Sequence, residues 1–103
     1  MSQPHSNKKH KHLTIDKISS SGNLNTHYTA HIIDASHNPI VITLPAPSNG
    51  ETYLLSRADT SRNGIIIQSH KGNLIDNAAS ISMNPGEKFR IIGYHHNFYL
   101  FKS

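Results

Sequence analysis

The sequence of 103 residues contains no cysteine and no tryptophan, and it has six acidic residues. The absence of cysteine excludes disulfide bonds and thiolate metal sites. No apolar run approaches the roughly 18 residues that span a bilayer, and no apolar stretch follows the basic residues near the amino terminus. These absences predict a soluble, cytoplasmic protein without membrane insertion or a secretory signal.

Helix-forming residues are also scarce, because six alanines and six acidic residues leave no amphipathic stretch of useful length. The abundant residues are instead thirteen isoleucines, thirteen serines and ten asparagines, which favour strands joined by turns. We predict one small all-β domain, an antiparallel meander forming a sandwich, a barrel or a prism-like module. Its predicted strands lie at residues 13–18, 27–34, 40–44, 52–57, 65–67, 74–75, 80–83, 88–94 and 98–101.

The connections follow from the spacing of these runs. The five residues between runs 27–34 and 40–44 fit a hairpin loop, so these two runs are expected to pair with each other. The sequence shows no internal repeat at a fixed period.

The net charge of +4 is concentrated near the amino terminus. Lys8, Lys9, Lys11 and Lys17 outnumber Asp16 there, whereas residues 18–103 hold six basic and five acidic residues. Residues 1–12 are polar and lack periodicity, which predicts a flexible arm before a domain at 13–103. We expect the four lysines to dock on an acidic partner, and the nearly neutral body argues against a specific nucleic-acid reader.

Histidine is the residue type with the most chemical potential in this chain. His10 and His12 form a His-x-His pair, and His27 and His31 would share one face of a strand. Either pair could ligate a divalent metal, and one inward histidine per chain on a threefold axis would supply three ligands. The alternative is a solvated arm and strand histidines that face water. No other cofactor is predicted.

Catalytic constellations are missing from the sequence. It has no Gly-x-Ser-x-Gly elbow and no phosphate-binding glycine-rich loop. Residues 59–63 lack the glycine and distal glutamate of a calcium loop, and Asx turns explain them better. We therefore predict a protein that is not an enzyme.

Aromatic residues cluster near the carboxyl terminus. On a strand, Phe98 and Leu100 would face one way and Tyr99 and Phe101 the other, so one pair belongs to the core. The other pair would form a subunit contact, which is the preferred interpretation. Alternatively, Tyr94, Asn97 and Tyr99 would form a surface that stacks on the sugar rings of a glycan.

The order of short motifs between residues 28 and 101 carries a resemblance. A strand ending in Leu44-Pro45 is followed by a strand with Gly50 and then Tyr53. An Asp-x-Ser-x-Asn turn at 59–63 leads to an Ile-x-Ile strand at 65–67. A Gly-x-x-Ile-Asp turn at 72–76 and an aromatic strand at 97–101 complete the order. This order resembles a β-structured module of tailed-phage tail fibres and other virion structural proteins.

The resemblance implies a role in shape and assembly. A tail-fibre, baseplate or head-decoration module would be found in the virion as a homotrimer and would contact other virion proteins. Host attachment through a receptor or glycan is a further implication of the same likeness.

Overall fold

The computed structural model describes residues 14–102, which form nine strands and no helix. Accordingly, no helix in this range could cross a membrane. The predicted all-β class is confirmed. The strands are β1 (Ile15–Ile18), β2 (Gly22–Asn23), β3 (Ala30–Ile33), β4 (Ile40–Thr43), β5 (Thr52–Arg57), β6 (Ile65–Gln68), β7 (Ser80–Ser82), β8 (Lys88–Tyr94) and β9 (Asn97–Lys102).

These strands form two sheets between which the chain alternates. Sheet A has the order β1-β3-β5-β8-β9, and sheet B has the order β2-β4-β6-β7. The first three strands of each sheet are parallel, so β1 to β6 trace three stacked coils. Each coil uses a strand of the opposite sheet as the crossover that parallel pairing requires. The last three strands, β7, β8 and β9, then pair antiparallel.

The predicted hairpin between runs 27–34 and 40–44 is wrong, because β3 and β4 belong to different sheets. Each strand pairs with the next coil instead, so that Ile33 lies beside Arg57 and Ile40 beside Ile65. Hairpin strands and coil strands show the same alternation of apolar and polar residues, which explains the error. The antiparallel meander is therefore limited to the carboxyl-terminal part of a mixed sandwich.

The two sheets enclose one apolar core. Inward residues alternate with outward ones along each strand, as the pleat requires. Sheet A contributes Ile33, Leu55, Phe89, Ile91 and Phe98, and sheet B contributes Ile40, Ile42, Ile65 and Ile67. All nine are at most 2% exposed, so sheet packing leaves the outward side chains as the surface available for function.

Candidate binding surfaces

The outer face of sheet B carries no charged side chain among its described strand residues. Its central pair is Val41 and Ile66, which are register partners and are 38% and 36% exposed. Next to them the Gln68 side chain donates a hydrogen bond to the Thr43 hydroxyl at 2.7 Å. The complete outward set is Asn23, Val41, Thr43, Ile66, Gln68, Ser80 and Ser82.

The outer face of sheet A has a different character along β8 and β9. Phe89, Ile91 and Gly93 point inward, so the alternation places Lys88, Arg90, Ile92 and Tyr94 outward. On β9, Phe98 is buried and Leu100 packs against the core, whereas Tyr99 and Phe101 are exposed. The predicted division of these aromatic residues between two faces is confirmed, and the outward set combines aromatic rings with cations.

Three of these aromatic residues line an open cleft of about 470 Å³ with Gly50, Ile92 and Gly93. Tyr94, Tyr99 and Phe101 are 54%, 41% and 53% exposed. The ring centroids of Tyr94 and Tyr99 are 6.3 Å apart, and their planes are inclined by 57°. The predicted neighbourhood of these two tyrosines is therefore present in the structure.

Asn97, the third residue predicted for this surface, does not line the cleft. Its side-chain oxygen accepts a hydrogen bond from the Leu74 backbone N–H at 3.1 Å. The Asn97 carbonyl group thus holds the loop after β6 against β9. The structure brings together the two tyrosines of the predicted set, but not the asparagine.

The two histidines between β8 and β9 form a tight turn. His95 and His96 have φ values of 48° and 69°, the left-handed region that two-residue hairpins of type I′ require. The His95 N–H donates to Asn49 Oδ1 at 2.9 Å, and the His95 ring lies 4.1 Å from the Tyr94 ring, edge to face. The turn therefore places Tyr94 at the end of the cleft.

The predicted shared face of His27 and His31 is wrong. Strand β3 begins at Ala30, so His27 lies in the preceding turn and is exposed. His31 is 1% exposed, with Nε2 at 3.1 Å from the Tyr28 carbonyl oxygen and Nδ1 at 3.3 Å from an Asp16 oxygen. The Nδ1 contact therefore joins β1 to β3, and the Nε2 contact joins β3 to the segment that precedes it.

The remaining residues of the metal prediction cannot be placed in the same way, because His10 and His12 lie outside the described residues. Within 14–102, no group of three or more His, Asp or Glu side chains could hold a metal ion. No metal centre can therefore be built from the described part of one chain.

The predicted Asx turn at residues 59–63 is present and is part of a buried ion pair. Arg57 is 6% exposed and donates to both Asp59 oxygens at 3.1 Å. Its remaining donors reach the carbonyl oxygens of Met83 at 2.8 Å and Asn63 at 2.6 Å. The guanidinium group holds the pKa of Asp59 far below its usual range. This network fixes the corner between the sheets, and its role is structural.

The lysines of the predicted docking arm are divided by the boundary of the described residues. Lys8, Lys9 and Lys11 lie outside them, whereas Lys17 lies in β1 and is exposed. The positive charge of Lys17 contributes to lowering the pKa of Asp34, although hydrogen bonds from Ser36 are the main cause. Lys17 therefore belongs to the folded domain.

Sequence reasoning missed Lys88 and Arg90 as companions of the aromatic residues. The signal was available, because Lys88, Arg90, Ile92 and Tyr94 are spaced by two and share one face of a strand. Comparison with known proteins gives no further guide: no protein-family model and no curated protein matches the chain.

Proposed function

We propose that the chain is a non-enzymatic structural subunit of a virion, which acts by self-assembly and by docking on other virion proteins. The observation that carries the assembly part is the uncharged outer face of sheet B, with Val41 and Ile66 at its centre. The virion setting rests on the motif order between residues 28 and 101.

A second copy of the chain is the partner that suits this face best. The cores of protein interfaces are depleted in charged residues, and an uncharged face can pack on its own copy without bringing like charges together. Around a threefold axis each copy can turn this face towards the other two copies, so that the uncharged rows of all three meet at the centre. The motif resemblance favours a homotrimer, and the lysine-rich amino-terminal segment would dock on a neighbouring component.

The test is the oligomeric state of the full-length chain in solution. Light scattering at micromolar concentration should give the mass of a homo-oligomer, with three copies expected. Ile66→Lys places a charge at the centre of the face and should shift the protein towards monomer. The matched control is Ile15→Lys, because Ile15 is 60% exposed on sheet A and should tolerate lysine without a change of mass.

A wild-type protein that is monomeric at these concentrations would remove the basis for the proposal. The same holds if Ile66→Lys and Ile15→Lys have equal effects. Circular dichroism of each variant must show that the strands are retained, so that a change in mass reports on association.

A further inference from the structure

We propose that the outer face of the β8–β9 pair in sheet A binds single-stranded nucleic acid without base specificity. The surface is distinct from the sheet B face, so this proposal does not depend on self-assembly. The sequence analysis argued against a specific nucleic-acid reader because residues 18–103 are nearly neutral in total, but the fold places two of their cations, Lys88 and Arg90, side by side on the outward face of β8.

The first argument is the alignment of the side chains into a track. Cross-strand register places Tyr94 beside Asn97, Ile92 beside Tyr99, and Arg90 beside Phe101. Successive outward rows on a strand are about 6.7 Å apart, so the track from Tyr94 to Lys88 is roughly 20 Å long. Aromatic rings lie in the first three rows and cations in the last two, with Phe101 beside Arg90. Rings and cations along one line suit an extended polymer of bases and phosphates.

The second argument is charge. Lys88 and Arg90 are exposed, and neither belongs to the ion pairs of the described residues, which are His31–Asp16, Arg57–Asp59 and Lys102–Glu87. Lys17 lies in β1, at the opposite edge of the sheet from β9. Lys88 and Arg90 therefore present two positive charges that form no ion pair within residues 14–102, and a polyanion can bind to them.

The third argument distinguishes bases from sugars. The side-chain oxygens of Asn97 and Asn49 accept backbone N–H groups, so the polar groups that stand out beside the rings are the cationic side chains of Lys88 and Arg90. Stacking on a base requires an exposed ring face, which Tyr99 and Phe101 provide on adjacent outward positions of β9. Two cations beside exposed rings thus favour an anionic polymer of bases and phosphates over a neutral glycan.

Fluorescence anisotropy of the full-length protein with a labelled oligonucleotide of about ten deoxythymidines tests the proposal. Binding should weaken as salt rises, because phosphate contacts release counterions. Phe101→Ala should weaken binding about fivefold or more through lost stacking, and Arg90→Ala should weaken it and reduce the salt dependence. The matched controls are Leu74→Ala and Lys71→Ala, exposed positions outside the track, which should bind as the wild type does.

Two results would overturn the proposal. One is binding that is unchanged in Phe101→Ala but abolished when Lys8, Lys9 and Lys11 become alanine, which would assign it to the amino-terminal segment alone. Another is binding to an acidic polysaccharide with no measurable binding to the oligonucleotide. Ile66→Lys should still bind the oligonucleotide, so failure of self-assembly and failure of this proposal can be told apart.

Discussion

Replacing Asp59 by asparagine is expected to destabilise the domain by about 3–5 kcal/mol, the range for removing one partner of a buried ion pair. The Asp59 side chain is 5% exposed, and that of Arg57 is 2% exposed. In Asp59→Asn the new amide nitrogen would replace Oδ2, which now accepts from Arg57 and from the Ser61 N–H. The arginine charge would stay buried without a counter-ion.

This loss is large compared with the roughly 5–15 kcal/mol by which small domains are stable. Urea unfolding followed by circular dichroism measures it directly. The control is Asp34→Asn: Asp34 accepts the Ser36 N–H in a similar turn at 2.9 Å but is half-exposed and has no arginine partner. That variant should lose less than about 1 kcal/mol.

A double variant keeps the ion-pair explanation testable even if Asp59→Asn alone does not fold. With Arg57→Met added, the unpaired charge is gone, and the double variant should be less destabilised than the sum of the single changes. Additive losses would contradict the ion-pair explanation. So would a loss below about 1 kcal/mol in Asp59→Asn alone.

The same ion pair gives a pH dependence with a definite sign. The pKa of Asp59 is lowered in the folded state, chiefly by hydrogen bonding to Arg57, so its contribution is present above the unfolded carboxyl pKa of about 3.9 and is lost as pH falls below that value. The pKa values of Asp34 and Glu87 are also lowered and add to this loss. In Asp59→Asn the acid-induced decrease in the free energy of unfolding should be smaller than in the wild type.

Two further predictions concern the β8–β9 pair. Gly93→Ala should destabilise the domain by more than about 1 kcal/mol in urea unfolding, because a Cβ at Gly93 would overlap the backbone oxygen of Ser48; wild-type stability would show that this contact is absent. Replacing His95-His96 by Asn-Gly should raise the melting temperature by a few degrees, because asparagine and glycine adopt the positive φ values of this turn more readily than histidine does. A lower melting temperature would contradict the assigned turn.

The strands were predictable because each buries alternate residues on one side. Residues 52–57 and 88–94 were predicted with the bounds of β5 and β8, and the inward-facing Ile65 and Ile67 follow from the same rule. The two-residue β2 was missed, since two residues cannot show a period. Short alternating runs thus locate strands but not their partners.

The coil topology could have been suspected from one repeated segment. Asn38, Ile40 and Ile42 recur as Asn63, Ile65 and Ile67, a spacing of 25 residues that the register reproduces. The first coil is shorter, since Gly22 pairs with Ile42, a spacing of 20 residues. Unequal loops at the corners therefore hid the period. The buried Arg57 was missed for a related reason: one of its partners, the Met83 carbonyl oxygen, comes from the loop after β7, which only the fold brings next to the loop at 59–63.

Of the two candidate surfaces, one could be predicted from the sequence and the other could not. The proximity of Tyr94 and Tyr99 was predictable, because both belong to a hairpin whose strands and turn are adjacent in sequence. The uncharged character of sheet B was not predictable, because Val41, Ile66 and Ser82 become neighbours only when β4, β6 and β7 pair. Contacts between distant segments decide which outward residues share a face.

The contrast between the two outer faces bears on what each can bind. Outward side chains are free of the packing that fixes the core, so their chemistry is set by what they meet outside the domain. Strand β8 places Lys88 and Arg90 outward, while the outward positions of β4 and β6 are uncharged. Self-packing through the β8–β9 track would bring like charges together, which opposes association, whereas an anionic ligand would relieve that repulsion. Assembly through sheet B and polyanion binding through sheet A are therefore compatible in one oligomer, because each uses the face that the other leaves free.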